Sequence, residues 1–311
     1  MKNYLITGGA GFLGSNLALR LLREGNSVTA VDNLMTGLEE NLVILKKENN
    51  FEFINQDIVK SLEINKKYDF VINLACPASP PKYYKDPIHT LRTSAIGTQN
   101  VLDFALKNQA RFFHASTSEI YGDPLEHPQR ESYFGNVDPY CKRSCYDEGK
   151  RYAEALIYEY RHERQLNTGL IRIFNTYGPM MDPSDGRVVT NFILQALRGE
   201  NLTVQGDGRQ TRSFCYVDDQ IEGMIRMIHS SEEGPINIGN PEEYQVIDLA
   251  RLVIELTGSK SKIVHTEAAL SDPKKRQPDI NIAKNKLGWQ PKVSVREGLQ
   301  KTIDWFRKMG D

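Results

Sequence analysis

The stretch Thr7-Gly-Gly-Ala-Gly-Phe-Leu-Gly14 decides the fold. It continues a short apolar run that begins at Tyr4, and its glycines at 8, 11 and 14 form a GxxGxxG pattern. Gly8 permits a tight turn, Gly11 lets the backbone approach a pyrophosphate, and Gly14 lets the helix and the strand pack closely. Free N–H groups at the start of the helix provide an anion site. The sequence therefore predicts a strand, a phosphate-binding loop and a helix in succession.

An acidic residue follows the second apolar run. Asp32 comes directly after the strand predicted at 27–31. An acid in this position hydrogen-bonds the adenosine ribose hydroxyls and repels a 2′-phosphate, so NAD is favoured over NADP. Asp57 and Ile58 follow the third predicted strand, and we expect them beside the adenine.

Short apolar runs alternate with helical patterns over much of the chain. The predicted strands, most of which show little polar alternation, are 4–7, 27–31, 51–54, 70–74, 111–115 and 169–174. Such runs are typical of a parallel sheet covered on both faces. Amphipathic stretches lie between them at 16–24 and 87–108. The second has Asp86 as N-cap and Pro87 at its first position, and its apolar positions at helical spacing are Ile88, Leu91, Ala95, Leu102 and Ala105.

This alternation predicts an α/β fold with a doubly wound parallel sheet, the Rossmann arrangement. We assign residues 1–175 to it, with part of 213–240 returning to it. Residues 176–311 are predicted as a smaller α/β lobe that binds the substrate. That lobe carries helical patterns at 188–199 and 246–257, a strand at 202–205, and a last helix whose capping box joins Ser294 and Glu297.

Composition excludes several classes of protein. The 311 residues include 39 Lys and Arg against 40 Asp and Glu, a net charge of −1, so neither a nucleic-acid partner nor a polybasic membrane contact is expected. Four scattered cysteines make no disulfide framework, and the histidines lack zinc-ligand spacing, so no metal is expected. The sequence has no signal core and no apolar run of about 18 residues, and we expect a cytoplasmic protein.

Tyr146 and Lys150 form a YxxxK pattern, which places both side chains on one face of a helix. An ammonium beside a phenol favours the phenolate, so Tyr146 can remove the proton of a sugar hydroxyl as its carbon gives up a hydride. Thr117 and Ser118 end the fifth predicted strand, where they can hydrogen-bond that hydroxyl. Glu119 adds a carboxylate to the same pocket.

These motifs together resemble the extended short-chain dehydrogenase/reductase superfamily. Longer segments narrow the resemblance to the UDP-glucuronate decarboxylases, also called UDP-xylose synthases: 73–79, 116–124, 145–151, 172–179, 185–189, 210–217 and 272–279. The resemblance implies NAD as the cofactor and a UDP-sugar as the substrate. The NAD contacts it implies are Gly8, Gly11, Phe12, Leu13, Gly14, Asp32, Asn33, Asp57, Ile58, Leu74, Ala75, Tyr146 and Lys150.

The family chemistry oxidises the sugar at C4, so that carbon dioxide leaves a β-keto acid as an enolate, and then re-reduces C4. The net reaction is a lyase reaction without net redox. The resemblance makes Tyr146 the acid/base at O4, with Lys150 tuning it and holding the nicotinamide ribose. Ser118 would bridge O4.

The resemblance also implies which residues hold the sugar and the nucleotide. Glu119 and Arg276 would act around C5 and C6, because Arg276 fits the motif better than the lysines at 274–275. An arginine can orient a carboxylate through two hydrogen bonds. The substrate contacts implied are Pro77, Asn175, Arg187, Val188, Asn191, Thr203, Gln205, Arg212 and Arg276.

Two segments depart from the family pattern: Met180-Met181 follows Tyr-Gly-Pro, and Tyr140–Cys145 precedes the Tyr146 motif. They leave open UDP-N-acetylglucosaminuronate as the substrate, or another reaction at the 4-keto intermediate, such as an epimerisation. Ser118 stands where related 4,6-dehydratases carry an Asp, which argues against dehydration.

A non-catalytic NAD-binding sensor on the same fold is the alternative from a second functional class.

In the superfamily the helix that carries YxxxK commonly forms a four-helix dimer interface. Residues 143–164 are long enough for it, so a homodimer is expected.

Overall fold

Strands and helices alternate along most of the chain. The computed structural model describes residues 1–267 and 276–310. Up to residue 173 the elements are β1 (Asn3–Thr7), α1 (Phe12–Arg23), β2 (Ser27–Asp32), α2 (Glu39–Leu45), β3 (Phe51–Asn55), β4 (Phe70–Asn73), α3 (Pro80–Tyr83), α4 (Pro87–Arg92), a π turn (Thr93–Gly97), α5 (Thr98–Asn108), β5 (Arg111–Thr117), a 3₁₀ turn (Ser118–Tyr121), α6 (Ser144–Arg164) and β6 (Thr168–Ile173).

The elements that follow are shorter strands and further helices. They are β7 (Thr176–Tyr177), α7 (Val188–Leu197), β8 (Leu202–Gln205), β9 (Thr211–Ser213), β10 (Cys215–Tyr216), α8 (Val217–His229), β11 (Ile236–Ile238), β12 (Glu243–Gln245), α9 (Val246–Thr257), β13 (Ile263–Thr266), α10 (Asn281–Leu287) and α11 (Val295–Gly310).

A seven-stranded sheet has the order β11-β6-β5-β4-β1-β2-β3. The pairs β1–β2, β2–β3, β1–β4 and β4–β5 are parallel. The predicted doubly wound sheet is therefore confirmed. The chain builds outward from β1, first to β2 and β3 and then, on the other side, to β4. In open parallel sheets ligands bind at the carboxyl ends of the strands where the order reverses in this way.

The chain divides into two compact units. The first consists of Met1–Ile120, Val137–Arg172 and Met224–Ile236, and the second of Tyr121–Asn136, Ile173–Gly223 and Asn237–Asp311. The segment Tyr121–Asn136 belongs to the second unit, although it lies inside the range 1–175.

Buried apolar side chains from neighbouring strands form the core of the first unit. Leu5, Val71 and Phe112 are fully buried and share one cluster with Leu102 of α5. Burying a side chain of this size contributes about 1.5–3 kcal/mol. The packing fixes the strands against the helix and so fixes the positions of their carboxyl ends.

The predicted helix over 87–108 is interrupted by the π turn. The Asp86 cap is confirmed, because its side chain accepts a hydrogen bond from His89 N at 2.9 Å. Leu102 and Ala105 are buried, but Ile88 and Leu91 are 71% and 41% exposed. A π turn inserts a residue into the helical repeat, so the two halves of the stretch bury different positions.

Among its described residues, the second unit holds three two-stranded sheets, β7–β10, β9–β12 and β8–β13. The last helix buries Leu299, Ile303 and Phe306, as its spacing predicts. Glu297 N donates to Ser294 Oγ at 3.2 Å, which is one of the two hydrogen bonds of the predicted capping box, while the Glu297 side chain pairs with Lys301. Within the part of the chain that the structure describes, no helix combines the length and apolar character needed to cross a membrane.

Candidate active site

The glycine loop joins β1 to α1. Gly8 has φ +70°, a left-handed conformation that glycine adopts without strain, and its carbonyl accepts the Gly11 N–H at 3.1 Å. A Cβ at position 14 would lie only 2.1 Å from the Gly8 oxygen, whereas one at position 11 would lie 3.2 Å from it. Gly14 therefore lets the helix pack against the loop backbone, and Gly11 leaves the outer side of the loop open.

A cleft that opens to solvent lies against this loop. Pro77 lines it, and so do eight of the implied NAD contacts: Gly8, Gly11, Asp32, Asn33, Asp57, Ile58, Leu74 and Ala75. Phe12 and Leu13 open α1, and Gly14 is buried behind the loop. The cleft lining includes neither these three residues nor Tyr146 and Lys150.

Backbone amides hold the Asp32 carboxylate at the end of β2. It accepts hydrogen bonds from Ala10 N at 3.0 Å and Leu34 N at 2.9 Å. Burial raises the pKa of Asp32, and these backbone hydrogen bonds partly offset that rise. The side chain is thereby a fixed acceptor at the wall of the cleft.

Asp57, which also lines the cleft, is held in a similar way. Its Oδ1 accepts from Val59 N at 2.9 Å, and its Oδ2 lies 3.2 Å from Asn33 Nδ2 and 3.3 Å from His89 Nε2. His89 was not predicted as a site residue. The residue comes from α4, and no strand-end pattern points to it.

The helix α6 carries Tyr146 and Lys150 one turn apart, both buried. Lys150 Nζ donates to the Ala115 carbonyl of β5 at 3.0 Å, which fixes the lysine beside the strand end. Burial lowers the pKa of Lys150. The ring of Tyr146 stacks on the ring of Tyr83, with centroids 5.1 Å apart and planes 5° apart. The structure therefore brings the YxxxK pair to the carboxyl end of β5.

The end of β5 carries the other three predicted residues of this group. Thr117 Oγ1 accepts a hydrogen bond from Glu119 N at 3.2 Å, and the buried Ser118 begins the 3₁₀ turn. Glu119 is not an isolated carboxylate, because Arg143 Nη2 donates to its Oε2. Arg143 Nε also lies 3.6 Å from Asp147 Oδ2.

The remaining implied substrate residues lie in the second unit, apart from Pro77. Arg276 is buried, and its Nη2 donates to Gly122 O at 3.3 Å. The lysines at 274–275 lie outside the described residues. Arg212 in β9 is also buried, and its Nη1 donates to Thr211 O at 2.8 Å. Asn175 precedes β7, and its carbonyl accepts Cys215 N.

The beginning of α7 holds three implied residues close together. Arg187 pairs with Asp185 through contacts of 2.5 and 2.9 Å, Val188 begins the helix, and Asn191 Nδ2 donates to Gly186 O at 3.0 Å. Met180 and Met181, where the family pattern changes, are both buried.

The strand β8 carries the last two implied residues. Thr203 Oγ1 accepts from Gln195 Nε2 at 2.9 Å, and the Gln205 carbonyl accepts from Gln210 Nε2 at 3.0 Å.

Among the described residues there is no group of three or more His, Cys, Asp or Glu side chains placed to hold a metal ion.

Comparison with known proteins identifies the family. The family described as GDP-mannose 4,6 dehydratase matches residues 5–302. UDP-glucuronic acid decarboxylase 3 of Arabidopsis thaliana is 51% identical over 304 residues, 97% of this chain and 88% of the relative. UDP-glucuronic acid decarboxylase 1 of Xenopus tropicalis is 50% identical over 99% of this chain and 72% of the relative.

The chain belongs to the extended short-chain dehydrogenase/reductase superfamily. Solved structures of the superfamily agree. UDP-glucose 4-epimerase of Thermotoga maritima, in complex with UDP-glucose, has a TM-score of 0.90 at 31% identity, covering 99% of this chain and 100% of its own. UDP-glucuronic acid 4-epimerase of Bacillus cereus, in complex with UDP-glucuronic acid and NAD, has a TM-score of 0.86 at 27% identity, with 99% of both chains covered.

Several residues at the site of this superfamily member were not predicted from the sequence. Besides His89, the cleft is lined by Val31, Met35, Thr36, Gln56, Cys76 and Thr93. Met35 and Thr36 follow Asp32 closely, so the loop after β2 was a signal that could have found them. Tyr83 had no such signal, because its role depends on a contact between distant segments. Arg143 lies in the segment 140–145 that departs from the family pattern, but its pairing with Glu119 could not be predicted from spacing.

Proposed function

We propose that this protein converts UDP-glucuronate to UDP-xylose by NAD-dependent decarboxylation. The observation that carries the proposal is the buried Tyr146–Lys150 pair beside the end of β5, in the unit that also holds the glycine loop. Such a pair suits removal of a hydroxyl proton during hydride transfer. The identity of about 50% to UDP-glucuronic acid decarboxylases supports the choice of substrate.

The cleft fits a dinucleotide. The Gly14 position has no space for a Cβ, so the loop backbone and the start of α1 stay close together, as a pyrophosphate site requires. Asp32 is a fixed acceptor for the ribose hydroxyls, and Asp57 and Ile58 would contact the adenine. NAD, when bound, supplies a hydride acceptor and later returns the hydride.

The first unit would carry out the chemistry. Tyr146 would take the proton from O4 as C4 is oxidised, and would return it when C4 is reduced. Lys150 is anchored on the Ala115 carbonyl, from where its charge favours the phenolate of Tyr146. Ser118 and Thr117 would hydrogen-bond O4. Oxidation at C4 makes the sugar a β-keto acid, so carbon dioxide leaves with formation of an enolate.

Glu119 and Arg276 are proposed to act around C5 and C6, where the enolate must be reprotonated. A tight arginine–carboxylate pair in the ground state would oppose decarboxylation, so an orienting role suits Arg276 better. The second unit would bind the UDP group through Asn175, Arg187, Val188, Asn191, Thr203, Gln205 and Arg212.

We propose a homodimer in the cytoplasm. The helices at 87–97 and α6 expose apolar or aromatic side chains that a second copy would cover, namely Ile88, Leu91, Ile96, Tyr152 and Tyr158. The four cysteines are free thiols, which suits a reducing compartment. Sedimentation of the pure protein tests the dimer.

The function is tested by incubating the purified protein with NAD and UDP-glucuronate and following carbon dioxide and the sugar product by NMR. We expect carbon dioxide release and UDP-xylose. Tyr146→Phe should bind NAD and lose turnover, whereas Tyr152→Phe, an exposed tyrosine on the same helix, should keep it.

Parallel incubations separate the alternatives. Release of carbon dioxide only from UDP-N-acetylglucosaminuronate would reassign the substrate, and an isomeric uronate with no gas release would make the protein an epimerase. NAD binding with no change in any UDP-sugar would favour a sensor.

A further inference from the structure

Arg143 lies between two carboxylates beside the proposed catalytic group. It donates to Glu119 and lies 3.6 Å from Asp147. The Arg143 and Glu119 side chains are only 18% and 17% exposed, so solvent screens their charges weakly. Burial lowers the pKa of Arg143, but neighbouring groups, Glu119 foremost, raise it above its usual value. The guanidinium therefore stays charged.

The ion pair and the proposed acid/base share one neighbourhood. Tyr83 stacks on Tyr146, and burial raises the pKa of Tyr83 while the charge of Arg143 opposes that rise. The charge of Glu119 also raises the pKa of Tyr83. A sugar whose O4 reaches Tyr146 would consequently place its neighbouring carbons close to the charges of this ion pair.

We propose that Arg143 is a specificity-determining residue that allows a sugar carboxylate to approach Glu119. The inference rests on the proposed function, in which the C5–C6 part of a uronic sugar meets Glu119. Without the guanidinium, the carboxylate of the sugar would meet the uncompensated charge of Glu119, and like charges a few ångströms apart repel strongly in a poorly solvated site. With Arg143 present, the charge of Glu119 is compensated by the guanidinium.

The substrate and the product of the proposed reaction isolate this effect. UDP-glucuronate carries a carboxylate at C5 that UDP-xylose lacks, and the two ligands are otherwise alike. A change that distorts the pocket weakens both ligands. A change in charge balance weakens only the acidic one, so the ratio of the two dissociation constants reports the role of Arg143.

Both ligands are titrated by calorimetry into the NAD-saturated protein carrying Tyr146→Phe, which prevents turnover. We expect Arg143→Met to weaken UDP-glucuronate about tenfold or more and UDP-xylose less than about twofold. Arg143→Lys, which keeps the charge, should return the ratio to within about threefold of its starting value. The control Arg161→Met lies on the same helix and breaks a more exposed ion pair, with Glu233, so the ratio should not change.

A second variant tests the proposal if Arg143→Met alone folds poorly. Arg143→Met combined with Glu119→Gln removes both members of the pair, and the affinity for UDP-glucuronate should recover relative to the single variant. Equal weakening of both ligands by Arg143→Met, or an unchanged ratio, overturns the proposal.

The proposed function is read separately, from carbon dioxide release by the unsubstituted protein. Release with an unchanged ratio refutes only the role of Arg143. If the unsubstituted protein neither binds nor decarboxylates UDP-glucuronate, both proposals fall.

Discussion

Replacing Gly14 by alanine should damage the cofactor loop by a predictable amount. The new Cβ would lie 2.1 Å from the Gly8 oxygen and 2.9 Å from the Gly9 Cα, and both neighbours are backbone atoms. Ordinary contacts begin near about 3.5 Å, so the loop and α1 must separate by more than about 1 Å. Overpacking of this kind costs about 1–3 kcal/mol of folding free energy.

The same displacement should weaken NAD binding. The amides at the start of α1 point toward the pyrophosphate only while the helix stays close to Gly8. The matched control is Gly11→Ala, whose Cβ would meet only the Gly8 oxygen at 3.2 Å. That variant should keep its stability to within about 0.5 kcal/mol. It should still lose NAD affinity, because the methyl group projects to the open side of the loop.

Urea unfolding without cofactor measures the first effect, and a fluorescence titration with NAD measures the second. Gly14→Ala should lower both quantities and Gly11→Ala only the affinity. If Gly14→Ala unfolds at the wild-type urea concentration and binds NAD as tightly, the role assigned to the close packing of loop and helix is wrong.

Three further predictions concern stability. Asp219→Ala should cost about 2–4 kcal/mol in urea unfolding, because Asp219 Oδ2 accepts the backbone amides of 292–293 at 2.9 and 2.8 Å. Arg172→Met should cost about 1–3 kcal/mol, since it removes the partner of the partly buried carboxylate of Glu154, 2.7 Å away. Burial, and then the charge of Lys150, lowers the pKa of His114 well below 6.5. Below pH 6.5 the unfolded state therefore binds more protons, and unfolding free energy should fall by about 1.4 kcal/mol per pH unit, a slope that His114→Leu removes.

Each of these has a control. Asp218→Ala, at an exposed neighbouring position, should change stability by less than about 0.5 kcal/mol. Arg172→Met combined with Glu154→Leu should recover much of the loss, because no buried charge remains. For His114, equal pH slopes in the variant and the wild type between pH 6.5 and 5 would refute the assignment of a neutral buried imidazole.

Much of the fold could be predicted because its signals are local. The glycine pattern and the apolar run at Tyr4 fix β1 and α1, and the runs without polar alternation mark strands buried on both faces. The same reasoning failed for Ile88 and Leu91, which sit at helical spacing yet are exposed. A π turn leaves no mark in hydrophobic periodicity, so the face that the helix buries could not be read from the chain. The helix α8 was missed although Ile221, Met224 and Ile228 repeat at helical spacing.

The same difference between local and non-local signals applies to the residues of the candidate site. Residues at or just beyond the end of a strand, such as Asp32 and Ala75, could be placed from the sequence because parallel strands end at one edge of the sheet. Tyr83 lies far from Tyr146 along the chain, and their stacking depends on how α3 packs beside α6. The spacing of motifs cannot predict side-chain contacts between segments that lie far apart in the sequence.

The distribution of charge shows why counting basic residues misleads for a protein that binds anions. The net charge of −1 predicts no general attraction, and the arginines that the motifs offer are already engaged. Arg187 is paired with Asp185, and Arg143 with Glu119. An anionic ligand at such an arginine must share the guanidinium with a carboxylate, and the local balance is close to neutral before the ligand arrives. Affinity then depends on hydrogen-bond geometry more than on net charge, so binding should discriminate between ligands by shape and by the position of each charge.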